Sequence, residues 1–121
     1  MRIGVLEDDL AIRGTLNEML EYAGHVPKAY VDGWDLLSEI IEDEQTPKTG
    51  VFDVVLVDLA LPSISGIQVI HTISTIYPTL PIIIVSASAI EYLESVKQRY
   101  PKVKILQKPF KIQDLLTLIQ Q

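Results

Sequence analysis

A chain of 121 residues with 48% hydrophobic and 21% charged side chains can bury one core, and it is too apolar to be disordered. Sixteen acids against 10 bases leave a formal charge of -6 and no basic stripe, which argues against direct nucleic-acid binding. The absence of cysteine excludes disulfides, thiolate metal sites and thiol catalysis; with no leader pattern and no apolar run near the roughly 18 residues of a membrane span, residues 1–121 are expected to form one soluble cytoplasmic domain.

Strand and helix signals then alternate along the chain. Ile3–Leu6 reads as a first strand. Ile12, Leu16, Met19, Leu20 and Ala23 fall at helical spacing, and Gly24 stops that helix. Val26–Val31 is a weaker strand whose Pro27 belongs at a strand start or a sheet edge. Asp32 can cap a second helix with Leu36, Leu37, Ile40 and Ile41 as its buried stripe. The polar segment Glu42–Gly50, with Pro47 inside it, reads as an exposed loop.

Phe52–Val57 is the third strand. Ile70, Ile73 and Tyr77 face inward on a third helix, which Pro78 ends. Pro81–Val85 is the fourth strand. Ser88-Ala89-Ile90-Glu91 has capping-box spacing and opens a fourth helix with Leu93, Val96 and Tyr100 inward. Val103–Leu106 is the fifth strand, and Ile112, Leu115, Leu116 and Ile119 mark the fifth helix. Continuous apolar strands alternating with helices predict an α/β fold, a doubly wound five-stranded parallel sheet with helices on both faces. Strands one and three lie side by side if the order is 2-1-3-4-5, which puts a cleft at the switch point between them.

The polar residues at strand ends carry the chemistry. Val54-Val55-Leu56-Val57 runs straight into Asp58, and Ile3-Gly4-Val5-Leu6 runs into Glu7-Asp8-Asp9. An apolar strand tolerates an acid just beyond its C-terminal edge, where ligands bind in open parallel sheets. Clustered carboxylates repel, so they need a cation or a proton. Oxygen-only donors favour a hard divalent ion such as Mg2+. Ser86 and Lys108 follow the fourth and fifth strands in the same way. Singly, each has an ordinary explanation: a solvated first helix turn for Glu7 and Asp8, a loop hydroxyl for Ser86, a helix-entry turn for Lys108-Pro109. Their recurrence at one edge is the signal.

Glu7-Asp8, Asp58 with Pro62 and Gly66 behind it, Ser86-Ala87 and Lys108-Pro109-Phe110 occur in an order and spacing that resemble the receiver domain of two-component response regulators. The resemblance covers essentially the whole chain and implies the flavodoxin-like fold of the chemotaxis receivers. It implies that Asp58 accepts a phosphoryl group from a sensor histidine kinase or a phosphotransfer protein. Mg2+ would bind Asp8, Asp58 and the backbone carbonyl of Ala60, with Glu7 acting through a water. Lys108 and the Ser86 hydroxyl would each meet a phosphoryl oxygen, and the Lys108–Pro109 bond would be cis. Movement of Ser86 would remodel the face made by the fourth helix, fifth strand and fifth helix, for an output domain, a downstream protein or a phosphorylation-dependent homodimer. Such a domain is a phosphoacceptor and not an enzyme acting on other substrates.

The chain departs from the family at Ile105, where an aromatic switch residue is frequent, at Ser65, where Asp is frequent before the glycine, and at Lys111, which gives the fifth helix no side-chain cap acceptor. Ile105, Leu118 and Tyr92 together are candidates for an apolar patch on the output face. Two rivals use the same residues. An Mg2+-dependent aspartyl-phosphate phosphatase would place a second Asp where Ala60 stands. A phosphorylation-independent docking module would have lost Asp58, the acid pair or the lysine, and all are present.

Overall fold

Runs such as Val54–Val57 and Ile82–Ser86 are buried at every position, and such strands suit a sheet covered on both faces. The computed structural model describes residues 1–43, 46–61 and 64–121. In chain order its elements are β1 (Arg2–Leu6), α1 (Leu10–Tyr22), β2 (Val26–Tyr30), α2 (Gly33–Ile40) and β3 (Val54–Val57). There follow α3 (Gly66–Ile76), β4 (Ile82–Ser86), α4 (Ile90–Arg99), β5 (Lys104–Gln107) and α5 (Ile112–Gln120). The strands form one parallel sheet, as the alternating pattern predicts, in the order β2-β1-β3-β4-β5 that the family resemblance implies.

Strand side chains alternate between two cores. Ile3, Val5, Val54, Leu56, Ile83 and Val85 pack with Leu16 and Leu20 of α1 and with Leu115 and Ile119 of α5. Leu6, Val55, Val57, Ile82 and Ile84 pack on the other side with residues of α2, α3 and α4, Leu36, Ile70 and Leu93 among them. β2 is an edge strand, so it accepts Pro27 opposite Ile3 and leaves Val26 exposed. Asp32 caps α2 by accepting the Trp34 N–H at 2.8 Å, as its place in the sequence predicts. Gly24, at φ +90°, supplies the left-handed turn that ends α1.

Several boundaries move for identifiable reasons. Phe52 is buried but precedes β3, and Val31 lies beyond β2, exposed. Met19 and Ala23 share the helical spacing of Leu16 and Leu20 but lie on the solvent side of α1. Tyr77 terminates α3 as its C-cap and is half-buried, packed against the same core as Ile70 and Ile73. Ser88 does not cap α4. The N-cap is Ala89, whose methyl side chain offers no acceptor, and Ser88, one residue earlier, pairs its hydroxyl with Ser86. Lys111 likewise precedes α5 without a side-chain cap. Pro47, inside the expected loop of residues 42–50, makes an isolated antiparallel bridge to Ile41 at the end of α2. Pro62, one of the motif residues, lies outside the described residues.

Candidate functional site

Leu6 and Val57 are register partners at the ends of β1 and β3, so Glu7 and Asp58 leave the sheet side by side. The ladder continues one step past the strands. Asp58 N–H donates to the Leu6 carbonyl and Glu7 N–H to the Tyr30 carbonyl, both at 3.1 Å. This fixes both carboxylates at the C-terminal rim over the β1–β3 crossing. One carboxylate oxygen from each of Glu7, Asp8 and Asp58 lies within 4.8 Å of the others. Glu7 is only 2% and Asp58 7% exposed, while Asp8 faces solvent. Asp9, third in the acidic run, is not in this cluster; it caps α1 by accepting the Ile12 N–H at 3.0 Å.

Lys108 reaches the same point from the turn after β5. Its N–H donates to the Ser86 carbonyl at 2.8 Å, tying that turn to the end of β4. Its Nζ donates to Glu7 Oε2 at 2.8 Å and to Asp58 Oδ2 at 3.3 Å. The Lys108–Pro109 bond is cis. The other Asp58 oxygen, Oδ1, accepts the Ala60 N–H at 3.1 Å. Gly66 closes the cradle from behind. A Cβ there would sit 2.3 Å from the Asp58 carbonyl oxygen and 2.6 Å from Leu59 Cα, so only glycine lets the start of α3 approach this closely.

The electrostatics follow from this crowding. Burial pushes the Glu7 carboxyl above its usual range; the Lys108 ammonium pulls it back without cancelling the effect, and the charge on Asp58 adds to it. Burial pulls the Lys108 ammonium down, but its bonds to Glu7 and the nearby Asp58 outweigh that and hold it above its usual value. Three carboxylates thus face one ammonium, and the cluster keeps an excess of negative charge.

Ser86, at the end of β4, is 1% exposed and is not bonded to the carboxylates. Its Oγ donates to Ser88 Oγ at 3.0 Å and accepts the Ser88 N–H at 3.2 Å. Two groups at the rim have no clear signal in the sequence. Arg13 Nη1, on the first turns of α1, donates to the Glu7 carbonyl at 3.2 Å. Gln107 Nε2 donates to the Ser88 carbonyl at 2.9 Å. Both look like ordinary surface residues until the fold closes.

The family model of the response regulator receiver domain matches residues 3–120. The chain belongs to that family. This receiver is similar to the DNA-binding transcriptional regulator NtrC of Proteus hauseri, at 29% identity over 121 residues, covering 98% of this chain and 24% of that protein. It spans 24% to 48% of the length of curated regulators such as NtrC and the response regulator MprA of Mycobacterium avium. A CheY-like receiver domain protein from Methanospirillum hungatei JF-1 matches its fold with a TM-score of 0.84 at 23% identity, over 98% of this chain and 90% of that one. The receiver domain of the sensor histidine kinase PA1611 from Pseudomonas aeruginosa PAO1 matches with a TM-score of 0.81 at 22% identity, over 98% and 93%; that structure has a magnesium ion in its active-site cleft. At these identities the structural likenesses concern the fold. No helix among the described residues is long and apolar enough to cross a membrane.

Proposed function

We propose that this receiver takes a phosphoryl group onto Asp58 from a phosphohistidine of a sensor histidine kinase or phosphotransfer protein in the cytoplasm. The observation that carries the proposal is the convergence of Asp58, Glu7, Asp8 and the Lys108 ammonium at one strand-end rim. In the transfer, the P–N bond of the donor breaks as a P–O bond to Asp58 forms, and the imidazole keeps the electron pair. The reaction is confined to the domain's own phosphorylation and dephosphorylation, which suits a signalling module.

The donor set fits Mg2+. It consists of carboxylate oxygens with no nitrogen or sulfur, and it keeps negative charge after Lys108 is counted. Asp8, Asp58 and the Ala60 carbonyl would hold the ion, with Glu7 acting through a water. When bound, it would neutralise charge on the phosphoryl oxygens. Lys108, already beside Asp58 Oδ2, would pair with one of those oxygens as a point charge. Ser86 would turn its hydroxyl to another, and the loop from β4 to α4 would move with it. The moved loop would alter the face of α4, β5 and α5, toward an output domain, a downstream protein or a second copy.

Intact mass after treatment with acetyl phosphate and Mg2+ tests the proposal. Wild type should gain one phosphoryl group and Asp58→Asn none. A wild-type chain that stays unmodified under these conditions would favour a phosphorylation-independent docking module.

A further inference from the structure

Ser86 is held by a small network that the phosphoacceptor chemistry does not use. Its hydroxyl has one proton. Among the described residues that proton goes to Ser88 Oγ at 3.0 Å, and the same Ser86 oxygen accepts the Ser88 N–H at 3.2 Å. Ser86 is buried, whereas Ser88 is only half-buried and can give its own hydroxyl proton to water. Ser88 is anchored in turn by Gln107, whose Nε2 donates to the Ser88 carbonyl at 2.9 Å. Gln107 is the last residue of β5 and directly precedes Lys108, whose N–H holds the Ser86 carbonyl at 2.8 Å. One continuous set of bonds thus joins the end of β4, the loop after it and the end of β5.

We infer that Ser88 and Gln107 are positioning residues that latch the Ser86 hydroxyl away from Asp58, and that phosphorylation must break this latch. The inference rests on the phosphoacceptor role proposed for Asp58. A hydroxyl with one proton cannot donate fully to Ser88 Oγ and to a phosphoryl oxygen at once, so the two acceptors compete. Any ligand on Asp58 that draws Ser86 toward it must bind more weakly by whatever the latch contributes. Ile105 offers no aromatic ring to report the movement, so the break in these bonds is a direct route from the site to the start of α4 and the end of β5.

The test is a calorimetric titration of the full chain with beryllofluoride and Mg2+, a phosphoryl mimic. Ser88→Ala and Gln107→Leu should each bind about fivefold more tightly than wild type, the factor corresponding to one net hydrogen bond. Ser88→Thr, which keeps the hydroxyl, should bind like wild type. Amide exchange without Mg2+ or mimic gives an independent readout. The Ser88 N–H should exchange about fivefold faster in Gln107→Leu, while the Leu93 amide in α4 is unchanged. Equal affinity for wild type and both variants, Ser88→Thr shifting with Ser88→Ala, or unaltered Ser88 exchange would overturn the latch. A wild type that takes up no beryllofluoride would instead overturn the phosphoacceptor proposal, leaving the exchange experiment to decide the latch.

Discussion

Lys108 has two partners whose charges would otherwise face each other unshielded. Its ammonium lies 2.8 Å from Glu7 and 3.3 Å from Asp58, with all three side chains largely withdrawn from water. Removing it leaves two buried carboxylates without compensation, so Lys108→Met should cost about 3 kcal/mol of metal-free stability in urea unfolding. Added Mg2+ should recover part of that loss, because the cation would take over the neutralisation. Asp8 gives the contrasting case. It is exposed, so Asp8→Asn should change metal-free stability by no more than about 0.5 kcal/mol. The same substitution should nevertheless abolish most of the Mg2+ response in thermal melts. If Asp8→Asn keeps the full response, Asp8 is not a ligand.

At the scale of elements, the glycines separate sites that need a missing side chain from sites that merely lack one. Gly66 is the first residue of α3 and abuts the backbone behind Asp58 at distances no real Cβ occupies. Gly66→Ala should destabilise by about 1–3 kcal/mol, since backbone must shift to admit the methyl group. It should also slow labelling of Asp58, because the segment displaced is the one that carries it. Gly14, inside α1, would meet nothing within 4 Å. Gly14→Ala should therefore stabilise by about 1 kcal/mol through helix propensity alone, as measured by urea unfolding. α5 is preceded at its N-cap by Lys111, which offers no acceptor and sets a positive charge against the positive end of the helix dipole. Lys111→Ser should raise stability by about 1 kcal/mol by supplying the cap; an unchanged midpoint would show that water already satisfies those N–H groups.

For the whole molecule, the excess negative charge at one rim would couple stability to a cation bound there. Ligand that binds only the folded state stabilises it by mass action. Mg2+ at ten times its dissociation constant should add about 1.4 kcal/mol. A melting temperature indifferent to millimolar Mg2+ would count heavily against a metal at this rim. The face of α4, β5 and α5 does not gather its three candidate apolar residues into one patch. Ile105 and Leu118 are both half-buried, and they pack against opposite cores, one on each side of the sheet. Only Tyr92 of the three is among the exposed large apolar residues, at 47%. A homodimer driven by those three residues together would therefore need rearrangement, and sedimentation with and without beryllofluoride would reveal whether it occurs.

The alternation of apolar strands with helical stripes was enough to set a parallel sheet covered on both faces, because strands buried at every position need helices on either side; the strand order followed from the family resemblance and not from the pattern. The acids after Leu6 and Val57 were legible for the same reason: a carboxylate ending an apolar strand can only sit at the rim. Helix ends were less legible. Ser88 has cap spacing, but a hydroxyl can serve one of several neighbours, and here Ser86 rather than the α4 backbone engages it. Composition alone did not separate Asp8 from Asp9; the family resemblance named Asp8, and the fold shows why, since the turn into α1 gives Asp9 to the helix. Arg13 and Gln107 became part of the rim only through contacts formed when distant segments close on one another. Local pattern specifies which residues are buried and where strands end; which of the polar side chains at those ends meet depends on directions and distances that exist only once the sheet is assembled.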